Sequence, residues 1–411
     1  MSTLRGSCIV GQSGGPTAVI NASAYGVIRS ALDNENITNV YGAEHGIRGV
    51  LDDKLFDMSK EDPAELALLP YTPSSALGSV RYKLADPEAD DTDYQRILEV
   101  FKKHDVRYFF YIGGNDSMDT CAKVSRYMKK VGYDCCVLGV PKTIDNDLYG
   151  IDHCPGFGSA AKYIATTFME VYLDARVYDT GTVTIIECMG RHAGWLTAAA
   201  ALAGTRGCGP DLIYLPEVDF DMDRFLSDVQ RVYKETGYCI VAVSEGIHYS
   251  DGSFVSEAKT AATDGFGHAQ LGGLAATLAN IVKERTGAKV RGIELSLLQR
   301  CAAHVASATD ISEAFALGAT AVAAATGGVT GMMVGLKRLP GEKYQVEPEL
   351  LELDSVANFE KKVPLEWINE DRNGVTQDFI DYCAPLVAGE TKAVREGGLP
   401  RFAHLKKIYA E

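Results

Sequence analysis

Five short apolar runs in this chain each close on a glycine-rich or polar turn, and a helix-like segment commonly follows. Ser7–Val10 leads into Gly11–Thr17, Tyr108–Ile112 into Gly113–Ser117, and Cys135–Val140 into Pro141–Asp147. Val183–Glu187 leads into Met189–Trp195, and Tyr238–Ser244 into Glu245–Ile247. A strand–turn–helix unit repeated in this way predicts a parallel sheet covered by helices, because successive parallel strands need a crossover and the helix supplies it. Ligands in such a fold bind at the carboxyl ends of the strands. Every polar, glycine-rich motif discussed below falls at such an end.

The 411 residues are enough for two or three units of roughly 100–200 residues each, and boundaries are placed near residues 150 and 310. The segment from Leu339 onward is more charged and less regular, with Trp367, Phe379 and Tyr382 expected to dock it on the body as a terminal helix and lid. A formal charge of -15 argues against nucleic acid or an anionic membrane as partner, since both repel an acidic surface. A small anionic substrate stays possible, because local Arg and Lys can still build a positive pocket. The ten cysteines include no CxxC pair, and several sit inside apolar runs. They read as reduced, buried thiols of a cytoplasmic protein. No signal pattern and no apolar stretch of about 18 residues appears.

The first loop, Gly11-Gln12-Ser13-Gly14-Gly15-Pro16-Thr17, joins a strand to the helix-like Ala18–Leu32. Its glycines let backbone N–H groups approach a phosphate at a helix N-terminus, although a tight turn alone would need the same residues. It is neither a Walker A loop nor a GxGxxG fingerprint. In Gly113-Gly114-Asn115-Asp116-Ser117, paired glycines precede oxygen ligands suited to Mg²⁺, or a helix cap. Pro141-Lys142-Thr143-Ile144-Asp145-Asn146-Asp147 sets two carboxylates beside a lysine. One carboxylate can take a proton from a hydroxyl while the other holds a metal; an Asp-rich surface turn is the alternative. Met189-Gly190-Arg191-His192-Ala193-Gly194-Trp195 carries an Arg suited to stabilising a transferring phosphoryl group. Arg291 and Arg300 could grip a terminal phosphate; isolated arginines are more often solvated, which is the alternative. The lone His45 and His268 lack triad or metal-ligand spacing and read as structural.

Taken in order, Ser-Gly-Gly, Gly-Gly-Asn-Asp-Ser, Pro-Lys-Thr-Ile-Asp-Asn-Asp, Met-Gly-Arg, Ser-Glu-Gly and Leu-Gln-Arg make residues 7–335 resemble the phosphofructokinase family. The resemblance implies an α/β fold of two Rossmann-like parallel-sheet subdomains with flanking helices, plus a C-terminal extension. Residues 1–150 would bind the phosphoryl donor, 151–310 the sugar phosphate, and 311–411 would form returning helices and the extension. It implies transfer of a phosphoryl group to the 1-hydroxyl of fructose 6-phosphate, with Mg²⁺ as cofactor and a homodimer or homotetramer as assembly. Asp145 matches the general base, Asp147 the magnesium site with Asp116 and Asn115 beside it, Thr143 a contact to the transferred phosphate, and Arg191 the group that stabilises developing charge. Gly15, Arg81, Asp116 and Ser117 match donor contacts. Met189, Gly190, Glu245, Arg291 and Arg300 match positions that hold the sugar phosphate.

Asp116 and Lys142 resemble the pyrophosphate-dependent branch. ATP-using relatives usually carry Gly at the first position, and an Asp there adds bulk and negative charge where an α-phosphate would sit. Lys142 offers a point charge to a short donor. Three departures from the family pattern fall elsewhere. Asn115 replaces an Asp and removes one charge from the metal site. Leu297 and Thr182 replace polar residues of the acceptor pocket, which leaves another phosphorylated ketose such as sedoheptulose 7-phosphate open. Tyr25 replaces an effector-binding Arg, while Arg29 is kept, so nucleotide regulation is expected to be weak. The competing readings are an ATP-dependent enzyme on the same fold and a non-catalytic regulatory homologue; the second would be expected to lose Asp145 or Arg191.

Overall fold

The computed structural model describes residues 4–177, 179–256, 273–357 and 359–411; His268 lies outside them. The chain forms two separate sheets of predominantly parallel strands. In the larger, β1 (Gly6–Gln12), β2 (Ile37–Ala43), β4 (Val106–Gly113), β5 (Cys136–Pro141) and β10 (Met332–Arg338) run parallel. Antiparallel edges are added by β3 (Leu55–Asp57) and β11 (Val346–Glu352), giving the order β11-β10-β5-β4-β1-β2-β3. Thus part of the segment after residue 310 returns to extend the first sheet. The smaller sheet is parallel throughout, in the order β7 (Leu212–Tyr214), β8 (Tyr238–Ser244), β6 (Thr182–Cys188) and β9 (Lys289–Glu294).

The central strands are buried along both faces, β1 and β6 without interruption. Apolar side chains from β1 therefore enter two cores, Ile9 on one face and Cys8 and Val10 on the other. This is why these strands read as continuous apolar runs: a strand covered by helices on both sides has no solvent face to make polar. On one side the Ile20–Leu32 helix crosses the Ala308–Thr326 helix at close range. A Cβ at Gly26 would lie 2.2 Å from the Phe315 carbonyl oxygen, and one at Gly318 2.2 Å from that of Ser23, so both glycines permit the approach. Tyr25 packs on Phe315 in the same crossing.

Trp367, Phe379 and Tyr382 surround Trp195 with ring centroids 5.3–6.2 Å from it, as their aromatic character suggested. The chain does not end in a helix, however. After Gln377–Cys383 it returns as an extended strap over the first sheet. Backbone N–H groups of Lys406 and Lys407 donate to Glu61, and Tyr409 stacks on Phe56. Those anchors use backbone donors, which a helix would have spent internally. All ten cysteines are free thiols and eight are buried. Among the described residues no helix is long and apolar enough to cross a membrane.

Candidate active site

The strand-end loops of the two sheets face each other across a cleft of about 650 Å³. The first sheet contributes Gly14, Gly15, Asn115, Asp116, Ser117, Lys142, Thr143, Asp145 and Asp147. From the second come Met189, Arg191 and Glu245, and Arg81 enters from the loop after Leu77. Residues from six separate stretches of the sequence thereby share one space, five of them because a parallel sheet delivers all its strand ends to the same side.

The first loop is held open by its neighbours. Gly14 sits at φ +73°, its N–H donates to the Val80 carbonyl at 3.1 Å, and Ser79 Oγ donates to the Gly14 carbonyl at 2.6 Å. The guanidinium groups of Arg81 and Arg300 converge on Gly15, 3.9 and 3.2 Å from where its Cβ would lie. Burial and the neighbouring Arg81 charge both push the Arg300 guanidinium below its usual range. Two cations brought together over a glycine make a seat for an anion. Arg300 therefore stands at the Gly15 end of the cleft.

Lys142 ties this loop to the next. Its N–H donates to the Gly113 carbonyl at 3.0 Å, and its buried Nζ donates to the Gly15 carbonyl at 2.6 Å. Burial lowers the ammonium to about 8, against the pull of Asp145 and Asp147. Asp116 lies in the first turn of the Asn115–Lys130 helix, where backbone N–H groups and the helix dipole favour negative charge. Lys83 approaches it at 4.0 Å.

Asp145 is raised by burial and drawn down by Lys142, Arg191 and Arg81. Asp147 is pushed up to about 7 by burial and by Asp145. Between them Asn146 adopts φ +56°, a left-handed conformation that Asn tolerates better than most residues. Across the cleft, burial lifts Glu245 to about 7, and it accepts a hydrogen bond from the Gly190 N–H at 3.2 Å. Ser244 Oγ donates to the Gly190 carbonyl at 2.5 Å, and the Met189 N–H donates to Gln299 Oε1 at 3.2 Å.

Two oxygens in the cleft stand out as acceptors. Asn115 Oδ1 and Asp147 Oδ1 are buried and accept no hydrogen bond within the protein. A buried oxygen of this kind wants a cation or a donor. Among the described residues no cluster of three or more His, Cys, Asp or Glu side chains is arranged for a metal. These two oxygens thus fit a hard divalent cation whose remaining ligands come from elsewhere, such as a phosphate and water.

Gly190 and Arg300 stand just behind the lining, but one residue singled out from the sequence lies elsewhere. Arg291 lies on β9, the exposed edge strand of the second sheet. Three that the motif reading passed over are in the cleft. His192 lines the cleft with Phe359 and Glu360, and His192 Nδ1 lies 2.9 Å from Glu360 Oε1. His192 was at least visible inside its motif. Phe359 and Glu360 come from the irregular C-terminal segment, where no local pattern marks them.

The Phosphofructokinase family model matches residues 7–325. The chain belongs to the phosphofructokinase family. It is accordingly a phosphotransferase with an alcohol as acceptor. A phosphofructokinase relative from Halomonas elongata, named pyrophosphate–fructose 6-phosphate 1-phosphotransferase, is 48% identical over 404 residues, covering 97% of this chain and 96% of its own. One of the same name from Xanthomonas campestris is 47% identical over 411 residues, 98% of this chain and 97% of its own. A crystal structure of a pyrophosphate-dependent phosphofructokinase from Nitrosospira multiformis, 41% identical, superposes with a TM-score of 0.90 over 99% of this chain and 98% of the other.

Proposed function

We propose that this phosphofructokinase transfers a phosphoryl group from pyrophosphate to the 1-hydroxyl of fructose 6-phosphate, giving fructose 1,6-bisphosphate and orthophosphate. The observation that carries the choice of donor is Asp116 in the first turn of its helix, together with the buried Lys142 at the Gly15 loop. The carboxylate adds bulk and charge where a nucleotide would extend, while Lys142, Arg81 and the loop amides suit a short, highly charged donor. The names of the relatives described above support the same donor and acceptor.

In this reading Asp145 takes the proton of the acceptor hydroxyl, whose oxygen then attacks the terminal phosphorus of pyrophosphate. The P–O–P bond breaks and orthophosphate departs toward Gly15, Arg81 and Lys142. Arg191 and Thr143 hold the transferring group, where charge spreads over its oxygens. Glu245, Met189 and Gly190 position the sugar. A magnesium ion held by Asp147 and Asn115, beside Asp116 and completed by donor oxygens, would neutralise charge on the transferring group. Pyrophosphate as donor leaves only orthophosphate, so the free-energy drop is modest and the step should run in both directions. The exposed β9 edge that carries Arg291 suits a homodimer or homotetramer in which a second copy completes the acceptor side.

A matrix of donors and acceptors tests the proposal: pyrophosphate and ATP against fructose 6-phosphate and sedoheptulose 7-phosphate, with Mg²⁺ present. Pyrophosphate with fructose 6-phosphate should be the productive pair. Ready turnover with ATP and none with pyrophosphate would overturn it.

A further inference from the structure

Asn146, wedged between the two carboxylates of the cleft, is fully buried and makes its side-chain contacts away from the cleft. Its Oδ1 accepts from the Cys154 N–H at 2.9 Å. Its Nδ2 donates to the hydroxyl of Tyr382, 236 residues further along the chain, at 2.9 Å. That hydroxyl in turn donates to the Asp152 carbonyl at 2.7 Å. Tyr382 is itself fixed from two sides. Arg338 donates to its carbonyl at 3.1 Å and lies over its ring at 4.7 Å, while also gripping the Asp152 carboxylate at 2.9 Å. On the other side the ring packs against Trp195 and Trp367, with centroids 5.3 and 5.2 Å away.

Trp195 closes the loop that carries Arg191, and its indole N–H donates to the Lys361 carbonyl at 2.9 Å. The Lys361 N–H donates to the Asp147 carbonyl at 2.7 Å. One aromatic side chain from the C-terminal segment therefore touches both halves of the site, the loop of Asp145 and Asp147 through a hydrogen bond and the loop of Arg191 through ring packing.

We infer that Tyr382 is a positioning residue for phosphoryl transfer: its hydroxyl holds Asn146 in the left-handed turn that aims Asp145 and Asp147, and its ring sets that turn against the Arg191 loop. The inference rests on the roles proposed above for Asp145 and Arg191. Its physical basis is that a reacting geometry lost by a fraction of an ångström lowers the rate without weakening ground-state binding. A side chain that held only the fold would act on stability alone.

The test uses the full-length protein with pyrophosphate, fructose 6-phosphate and Mg²⁺. Wild-type turnover comes first; its absence would count against the proposed function and not against Tyr382. Given turnover, Tyr382→Phe keeps the ring and deletes only the hydroxyl. It should lower kcat by roughly tenfold with both KM values within about twofold. Asn146→Gly keeps the left-handed tolerance and deletes the donor without adding a charge between Asp145 and Asp147, and should lower kcat at least as much. If both act through one bond, the double variant should be no slower than the slower single one. Should Tyr382→Phe fail to fold, Asn146→Gly alone carries the kcat measurement. A kcat within about twofold of wild type in the folded variants would overturn the inference, as would a loss confined to KM or single effects that multiply.

Discussion

The two sheets of this phosphofructokinase differ in how completely one chain finishes them. The larger is bounded by antiparallel strands, and the C-terminal strap pairs with its β3 edge through the Phe56–Tyr409 bridge. The loops at its strand ends are tied together by Lys142 and Ser79. The smaller ends on β9, where Val290 and Ile293 are half-buried and the other four residues exposed, and which leaves Arg291 outside the cleft. A parallel strand with an open edge is rare unless something covers it. The half of the site proposed to take the donor is thus built within the chain, while the half proposed to take the acceptor is built around Met189, Arg191 and Glu245, with Arg291 outside the cleft.

The sharpest way to break this comparison is Asp145→Ala, which acts on the chemistry common to both halves. Turnover should fall roughly 10³–10⁴-fold, with sugar-phosphate binding by calorimetry retained; a variant that keeps a tenth of the rate would remove Asp145 as base. Next in size is a pH effect on the acceptor side. Glu245 rises from 4.5 to about 7 on folding, so between those values the folded protein holds a proton that the unfolded chain releases, and stability falls as pH rises through the window. Glu245→Gln mimics the protonated form. Its stability advantage over wild type, read by denaturant titration, should grow from near zero at pH 4.5 to at most about 3 kcal/mol above pH 7. A difference that stays flat across this range would refute the assignment.

Lys142→Ala removes the tie of the donor half. We expect about a hundredfold loss of turnover with pyrophosphate, and acceptor KM little changed; a rise in acceptor KM alone would dissolve the distinction between the halves. The smallest effect is expected from Arg291→Ala, roughly a tenfold rise in acceptor KM with donor KM unchanged. An unchanged acceptor KM would show that the open edge is not completed by a second copy through this residue.

How much of this was legible beforehand depends on the range of the interactions. Residues 238–244 are a strand in both readings, since an apolar run bounded by turn residues is a local pattern. β9 was not picked out, because Lys289-Val290-Arg291-Gly292-Ile293-Glu294 mixes charges into an edge strand and hides the apolar signal. Likewise β10 and β11 were unmarked, since nothing near residue 332 indicates that it pairs with β5.

By itself the sequence determined the parallel α/β architecture and the cluster of loops at the strand ends, because glycines, caps and apolar runs act through their immediate neighbours. Only the tertiary structure decided that Arg300 meets Gly15, that Arg291 does not enter the cleft, that Phe359 and Glu360 do, and that Tyr382 reaches Asn146. Those contacts depend on which strands pair and how helices stack between them. That is a property of the packed chain as a whole, and no short window of residues encodes it.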